Sequence, residues 1–151
     1  MITVIQADLE NQQHCEDILY LTNTYAQDPM GGGKDLSDYV KDHLIEGLRD
    51  FPTSMIFIAY EGDQPVGIAN CFIGFTTFYA KKLLNIHDLA VIPDARGKGI
   101  GKRLLDAVEE KAKELGCAKL TLEVLEENPA KRLYERFGFE VDYLFMNKVI
   151  E

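Results

Sequence analysis

The segment Val91-Ile92-Pro93-Asp94-Ala95-Arg96-Gly97-Lys98-Gly99-Ile100-Gly101-Lys102-Arg103 passes from a strand pattern to a helix pattern through three alternating glycines. Glycine lets a backbone approach a ligand closely and turn its free N–H groups toward it, and a helix N-terminus adds partial positive charge. The combination predicts an anion site, most naturally for phosphates. Arg96, Lys98, Lys102 and Arg103 reinforce it with a local excess of cations in an acidic chain. Two familiar phosphate loops fail on spacing. A Walker A loop needs a glycine where Arg96 stands and a Ser or Thr where Arg103 stands. A dinucleotide fingerprint needs a third glycine at Lys102.

Around this segment the chain reads as one domain of 151 residues. A hydrophobic fraction of 46% suffices for a full core. Sixteen Lys and Arg against twenty-five Asp and Glu give a net charge of −9. That balance argues against sequence-independent nucleic-acid binding and weakly favours cationic small molecules. Cys15, Cys71 and Cys117 form no CxxC pair, and His14, His43 and His87 show no metal-ligand spacing, so no metal site is expected. Isolated cysteines suit a reducing compartment. With neither a basic leader nor a long apolar stretch, the expectation is a cytoplasmic protein without a membrane segment.

Outward from the glycines, Lys82 to Ile92 reads as a strand apolar on both faces and hence central, and Gly99 to Leu115 as an amphipathic helix stopped by Gly116. Upstream, the pattern predicts a strand at Ile2 to Gln6, a helix at Asp8 to Gln27, and a second helix at Leu36 to Asp50 capped by Asp35. Ser54 to Glu61 and Val66 to Thr76 read as a hairpin around Gly62-Asp63-Gln64-Pro65. Downstream come a strand at Lys119 to Leu125, a short helix at Asn128 to Phe137, and a last strand at Phe139 to Lys148. The order predicts a mixed α/β sheet with helices on both faces.

Arg96-x-x-Gly99-x-Gly101, followed by the strand Leu120-Thr121-Leu122-Glu123-Val124, then Asn128-Pro129-Ala130-Lys131-Arg132-Leu133-Tyr134, then Gly138-Phe139, resembles the GCN5-related N-acetyltransferases (GNAT) along essentially the whole chain. One position departs. The family's asparagine stands three residues before the alanine, where this chain has Glu127, and Asn128 lies two before Ala130. The resemblance implies a mostly antiparallel central sheet and acetyl-CoA as cosubstrate. It implies that Arg96, Gly97, Lys98, Gly99, Ile100, Gly101 and Lys102 hold the pyrophosphate. Leu89, Ala90 and Val91 would hold the thioester and pantetheine, with Asn128 on the CoA arm.

By the same resemblance, Tyr134 protonates the departing thiolate and His87 is the base. An amine with a pKa near 10 must lose a proton before it attacks, and neutral imidazole suits that task. A hydrogen-bonded structural histidine is the alternative for His87. Asp88, next to it, is expected on the other face of the sheet. Cys71 is read as core packing rather than as a nucleophile. The expected reaction is direct attack by a primary amine, either a small molecule or a lysine side chain. The charge hints at polyamines, amino sugars or lysine. Competing readings are a catalytically weak CoA-binding regulatory module and an interaction protein with an empty phosphate site. A homodimer is expected, paired through sheet edges or the Phe139 to Lys148 strand.

Overall fold

A computed structural model describes residues 1–150. The elements in chain order are β1 (Ile2–Gln6), α1 (Gln12–Gln27), a 3-10 turn (Pro29–Gly31), α2 (Asp38–Asp50), β2 (Ser54–Glu61), β3 (Gln64–Thr76) and β4 (Lys81–Val91). A second 3-10 turn (Pro93–Ala95), α3 (Ile100–Glu114), β5 (Leu120–Leu122) and α4 (Lys131–Phe137) follow. The strands lie side by side in the order β1-β2-β3-β4-β5, antiparallel except for the parallel pair β4 and β5. This is the mixed, mostly antiparallel α/β sheet that the sequence predicts.

Each face of the sheet buries its own core. On one side Ile18 and Leu21 of α1 and Leu48 of α2 pack on Ile56, Ile58 and Ile68. On the other, Ile100, Leu104, Leu105 and Val108 of α3 pack on Phe57, Ala59, Ala69, Leu84 and Ile86. The alternation in β2 assigns these faces directly, since successive strand residues point to opposite sides. Gly67 lets α3 lie close to β3, because a Cβ there would come within 3.1 Å of both Ile100 and Leu104.

Several expected boundaries shift for local reasons. The first helix begins at Gln12 rather than Asp8, because Asn11 accepts the His14 N–H at 3.0 Å and caps it. The second begins at Asp38 with Ser37 as cap, accepting from Val40 N–H at 3.2 Å. Asp35 instead pairs with Lys41 at 3.1 Å and accepts from Gln27.

The larger correction is the last strand. Residues 139–150 form no strand, and Val141, Tyr143, Phe145 and Ile150 are exposed. Alternation in sequence marks a face that could be buried, but a strand exists only when a neighbour supplies its hydrogen bonds. Here β5 pairs with β4 on one side and has no neighbouring strand on the other among the described residues.

Leu104 is fully buried between α3 and the sheet. Leu104→Ala is expected to destabilise the fold by about 2–5 kcal/mol, read as a lower urea midpoint with an unchanged slope.

Candidate functional site: two clefts meeting at a bulged strand

Strand β4 changes phase halfway along. Its residues pair with β3 as Ile86 with Cys71 and Asp88 with Asn70, so His87 is an extra, unpaired residue, a β-bulge. Before the bulge, Leu84 donates its N–H to Lys119 on the β5 side, and the Lys82 carbonyl on that side accepts from Ala118. After it, Ile92 donates to Val66 on the β3 side. Backbone direction alternates along a strand, so Leu89 and Val91 now turn their N–H groups away from β3. There β5 no longer faces them, because its pairing with β4 ends at Ile86 and Leu122. The side chains re-phase too. Leu84, Ile86, Leu89 and Val91 all reach the α3 core, while Ala90 faces α1 and α2.

Past Val91 the chain turns through Pro93–Ala95 into the glycine segment. Gly97 and Gly99 have φ of +83° and +78°, a region that side chains rarely adopt. A Cβ on either would meet nothing within 4 Å, so both glycines serve the turn and leave open space above it. Gly101 differs: a Cβ there would lie 2.9 Å from Leu133, and its absence lets α3 and α4 approach. Among the described residues, no backbone or side-chain acceptor takes the N–H groups of Gly99 through Lys102. Consecutive free donors at the head of a fifteen-residue helix are suited to an anion.

These elements line a cleft of about 870 Å³ running from Leu89, Ala90 and Val91 past Gly97, Gly99, Ile100, Gly101 and Lys102 to Asn128 and Tyr134. Among the described residues, Arg96, Lys102 and Arg136 line it against the single carboxylate of Asp28, so the cleft is cationic in an acidic protein. Arg96 donates from Nε to the Val91 carbonyl at 3.1 Å and from Nη2 to Asp28 at 2.7 Å. Lys102 is paired with Asp106 at 3.0 Å. Lys98 and Arg103 do not line the cleft. Lys98 turns to Glu61 at 3.1 Å, at the end of β2. Asn128 lines the cleft, but its Oδ1 accepts the Ala130 N–H at 2.9 Å and shapes the entry to α4. Tyr134 is buried, and burial followed by the influence of Tyr25 pushes its hydroxyl pKa up to about 12. Its proton therefore stays on at neutral pH, and the hydroxyl is able to donate.

A second cleft of about 870 Å³ opens on the α1 and α2 side of the same strand. His87 and Asp88 both line it, which corrects the expectation that they take opposite faces, and the bulge is the reason. His87 is exposed, with its ring edge-on to Phe72 at 5.8 Å. Asp88 accepts from the Asn70 side-chain amide at 3.0 Å, and that amide also donates to Thr22 at 3.2 Å. Asn70 Oδ1 is left buried without a partner among the described residues. Such orphans are uncommon, and this one follows from aiming the amide donors at a carboxylate. Tyr25 lines both clefts and marks where they meet. Cys71 is fully buried, and burial followed by the Asp88 charge pushes its thiol pKa up to about 12. It is core, as expected.

A family model described as the acetyltransferase (GNAT) family matches residues 15–139. The chain belongs to the GNAT family. Among its relatives, the uncharacterized N-acetyltransferase YycN of Bacillus subtilis is 38% identical over 97% of this chain and 99% of its own length. The uncharacterized N-acetyltransferase YhfO of the same organism is 37% identical over 62% of this chain and spans 64% of YhfO. A ribosomal-protein-alanine N-acetyltransferase from Brucella melitensis shares the fold, with a TM-score of 0.75 at 23% identity over 100% of this chain and 99% of that one.

In this GNAT chain the sequence motifs mark the glycine cradle, β4 and Tyr134, but not Tyr25, Asp28, Arg136 or Asn70. Tyr25 continues the helical stripe of Ile18 and Leu21 and is indistinguishable there from core. Asp28 carries a weak signal as the residue before Pro29, where it caps a turn by accepting from Met30 N–H at 2.9 Å. Among the described residues no three His, Cys, Asp or Glu side chains gather to hold a metal ion.

The hydrogen bond from Arg96, then that from Met30 N–H, holds the Asp28 carboxyl below its usual range. A carboxylate with a depressed folded-state pKa stabilises the fold above its unfolded value and loses that contribution as pH falls through the folded one. Asp28→Asn is therefore expected to lower stability by no more than about 1 kcal/mol at neutral pH, because the pair is solvent-screened. The gap from the wild type should close as urea titrations descend through the acid range.

Proposed function

We propose that this protein is an N-acetyltransferase moving an acetyl group from acetyl-CoA to a primary amine by direct attack. The observation that supports this most is the pair of clefts of opposite character meeting at Tyr25 and the bulged segment of β4. One has a run of free N–H groups and three cations; the other has a carboxylate and no Lys or Arg. An anionic donor and a cationic acceptor would enter from opposite sides of one strand.

Acetyl-CoA supplies an activated thioester carbonyl and a thiolate leaving group. The cradle from Gly97 to Lys102 suits its pyrophosphate, with Arg96, Lys102 and Arg136 adding charge. The Val91 N–H would hold the pantetheine, beside the walls formed by Ala90, Ile100 and Asn128. The Leu89 N–H would face the carbonyl oxygen and stabilise the negative charge that builds there. Asp88, oriented by Asn70, would anchor the incoming ammonium. His87 would take its proton through water, and Tyr134, still protonated, would donate to the departing sulfur. Free Cys15, Cys71 and Cys117 are compatible with the cytoplasm as the place of action.

Acetyl-CoA is expected to raise the melting temperature of the wild type and to leave Gly99→Glu unmoved, since that change puts a carboxylate in the cradle. Tyr134→Phe should bind acetyl-CoA as the wild type does while its kcat falls on the order of 10²-fold. Wild-type turnover in that variant would remove the acid role, and binding without any thiol release across amines would favour the regulatory-module reading. His87→Ala should lose most activity at neutral pH and recover partly as the amine deprotonates at higher pH. A uniform loss from pH 6 to 10 would make the histidine a positional one.

We further propose that the exposed segment after Phe139 pairs with a second copy of this chain. Val141, Tyr143 and Phe145 alternate in an exposed segment, and among the described residues the β5 edge has no neighbouring strand, the kind of edge that strand pairing protects. Light scattering at micromolar concentration should give a dimer mass, and a chain ending at Glu140 should give a monomer.

A further inference from the structure

We propose that the acceptor is a monoamine carrying an apolar or aromatic body, and not a polyamine, an aminoglycoside or a lysine within a peptide. This rests on the reading that the second cleft receives the acceptor. The cleft contains one carboxylate, Asp88, and its position beside Asn70 sets it among the innermost polar groups of that face. Among the described residues, no other Asp or Glu lines it. The walls are apolar and aromatic, formed chiefly by Tyr39, Val40, Leu44, Phe51, Phe72 and Ile73.

Two of these rings form a continuous surface with a histidine. Phe51 meets Phe72 edge-on at 5.5 Å, and Phe72 meets His87 edge-on at 5.8 Å. At another part of the lining, Tyr39 stacks on His43 at 4.1 Å with its plane tilted by 19°. Tyr39 is 70% exposed and Phe51 53% exposed. Aromatic rings so placed contribute little to the fold core, and their exposure along a concave surface marks them for a ligand.

Charge and shape together select the class. One ammonium can be met by Asp88, and the carbon skeleton attached to it would lie against the rings. A second ammonium a few carbons away would find no carboxylate among the described lining residues, against walls that are apolar and aromatic. A peptide carrying lysine would lay its backbone amides over the same walls without hydrogen-bond partners. The cleft volume of about 870 Å³ accommodates a body well beyond a simple alkylamine.

The test compares n-butylamine, n-hexylamine and phenethylamine with spermidine, kanamycin and a lysine-containing peptide. Thiol release at saturating acetyl-CoA gives kcat/KM, and calorimetry of each amine into the CoA-loaded protein gives affinity without turnover. Phenethylamine should exceed spermidine at least tenfold on both measures. Each methylene added to the alkylamines should raise affinity about fourfold, equivalent to about 0.8 kcal/mol. Tyr39→Ala, a change at an exposed ring, should weaken phenethylamine more than n-butylamine. Tighter binding and faster turnover of spermidine, kanamycin or the peptide would overturn the acceptor class and leave acetyl transfer standing. Selective phenethylamine binding with no thiol release from any amine would overturn acetyl transfer and uphold the class. No binding of any amine would overturn both.

Discussion

The bulge at His87 is the constraint on which the site depends. One extra residue in β4, set against the Asn70 to Cys71 step of β3, reverses the phase of everything after it. Without it, Asp88 and Ala90 would turn their backbone toward β5, and Leu89 would pair with β3. With it, the N–H groups of Leu89 and Val91 face the space beyond the end of β5, and His87 and Asp88 share a face. A bulge also bends and twists its strand, which suits the divergence of β4 from β5. Donors aimed into a gap and a carboxylate opposite them are thus two results of one backbone irregularity.

The rest of the architecture holds that irregularity in place. The α3 core grips Leu84, Ile86, Leu89 and Val91 on both sides of the bulge, so a slip in register would expel large side chains from a buried layer. Arg96 ties the end of β4 to the turn after α1 by bonding the Val91 carbonyl and Asp28 together. The glycine cradle is therefore braced from the opposite side of the cleft, by a residue far from it in sequence. Gly67 and Gly101 bring α3 down on the sheet and α4 down on α3, which closes the cleft around Tyr134.

Charge is divided between the two clefts more sharply than a net of −9 implies. Cations gather where the helix N-terminus already favours anions, and two of the four cations near the glycines do not join them. Lys98 is held by Glu61 and Arg103 lies outside the lining, while Arg136 arrives from α4 to take part. Clustering in sequence is a guide to local charge, but side-chain direction is set by helix phase and by the carboxylates nearby.

The sequence by itself marked the order of elements as far as α4, the mixed sheet, the glycine turn before α3 and the places of Leu89, Val91 and Tyr134 on β4 and α4, because each depends on local periodicity or on motifs of short spacing. Composition also carried the buried, inert character of Cys71. Only the tertiary structure decided that residues 139–150 form no strand, since pairing needs a neighbour that periodicity cannot supply. It alone decided that Asp88 joins His87, because a bulge is a relation between two strands and leaves no mark in one. Tyr25, Asn70 and Asp28 came to line the clefts in the same way. Their side chains obey ordinary helix, strand and cap patterns, and only the packing of α1 against β3 and β4 sets Tyr25 where the two clefts meet, with Asp28 in one and Asn70 in the other.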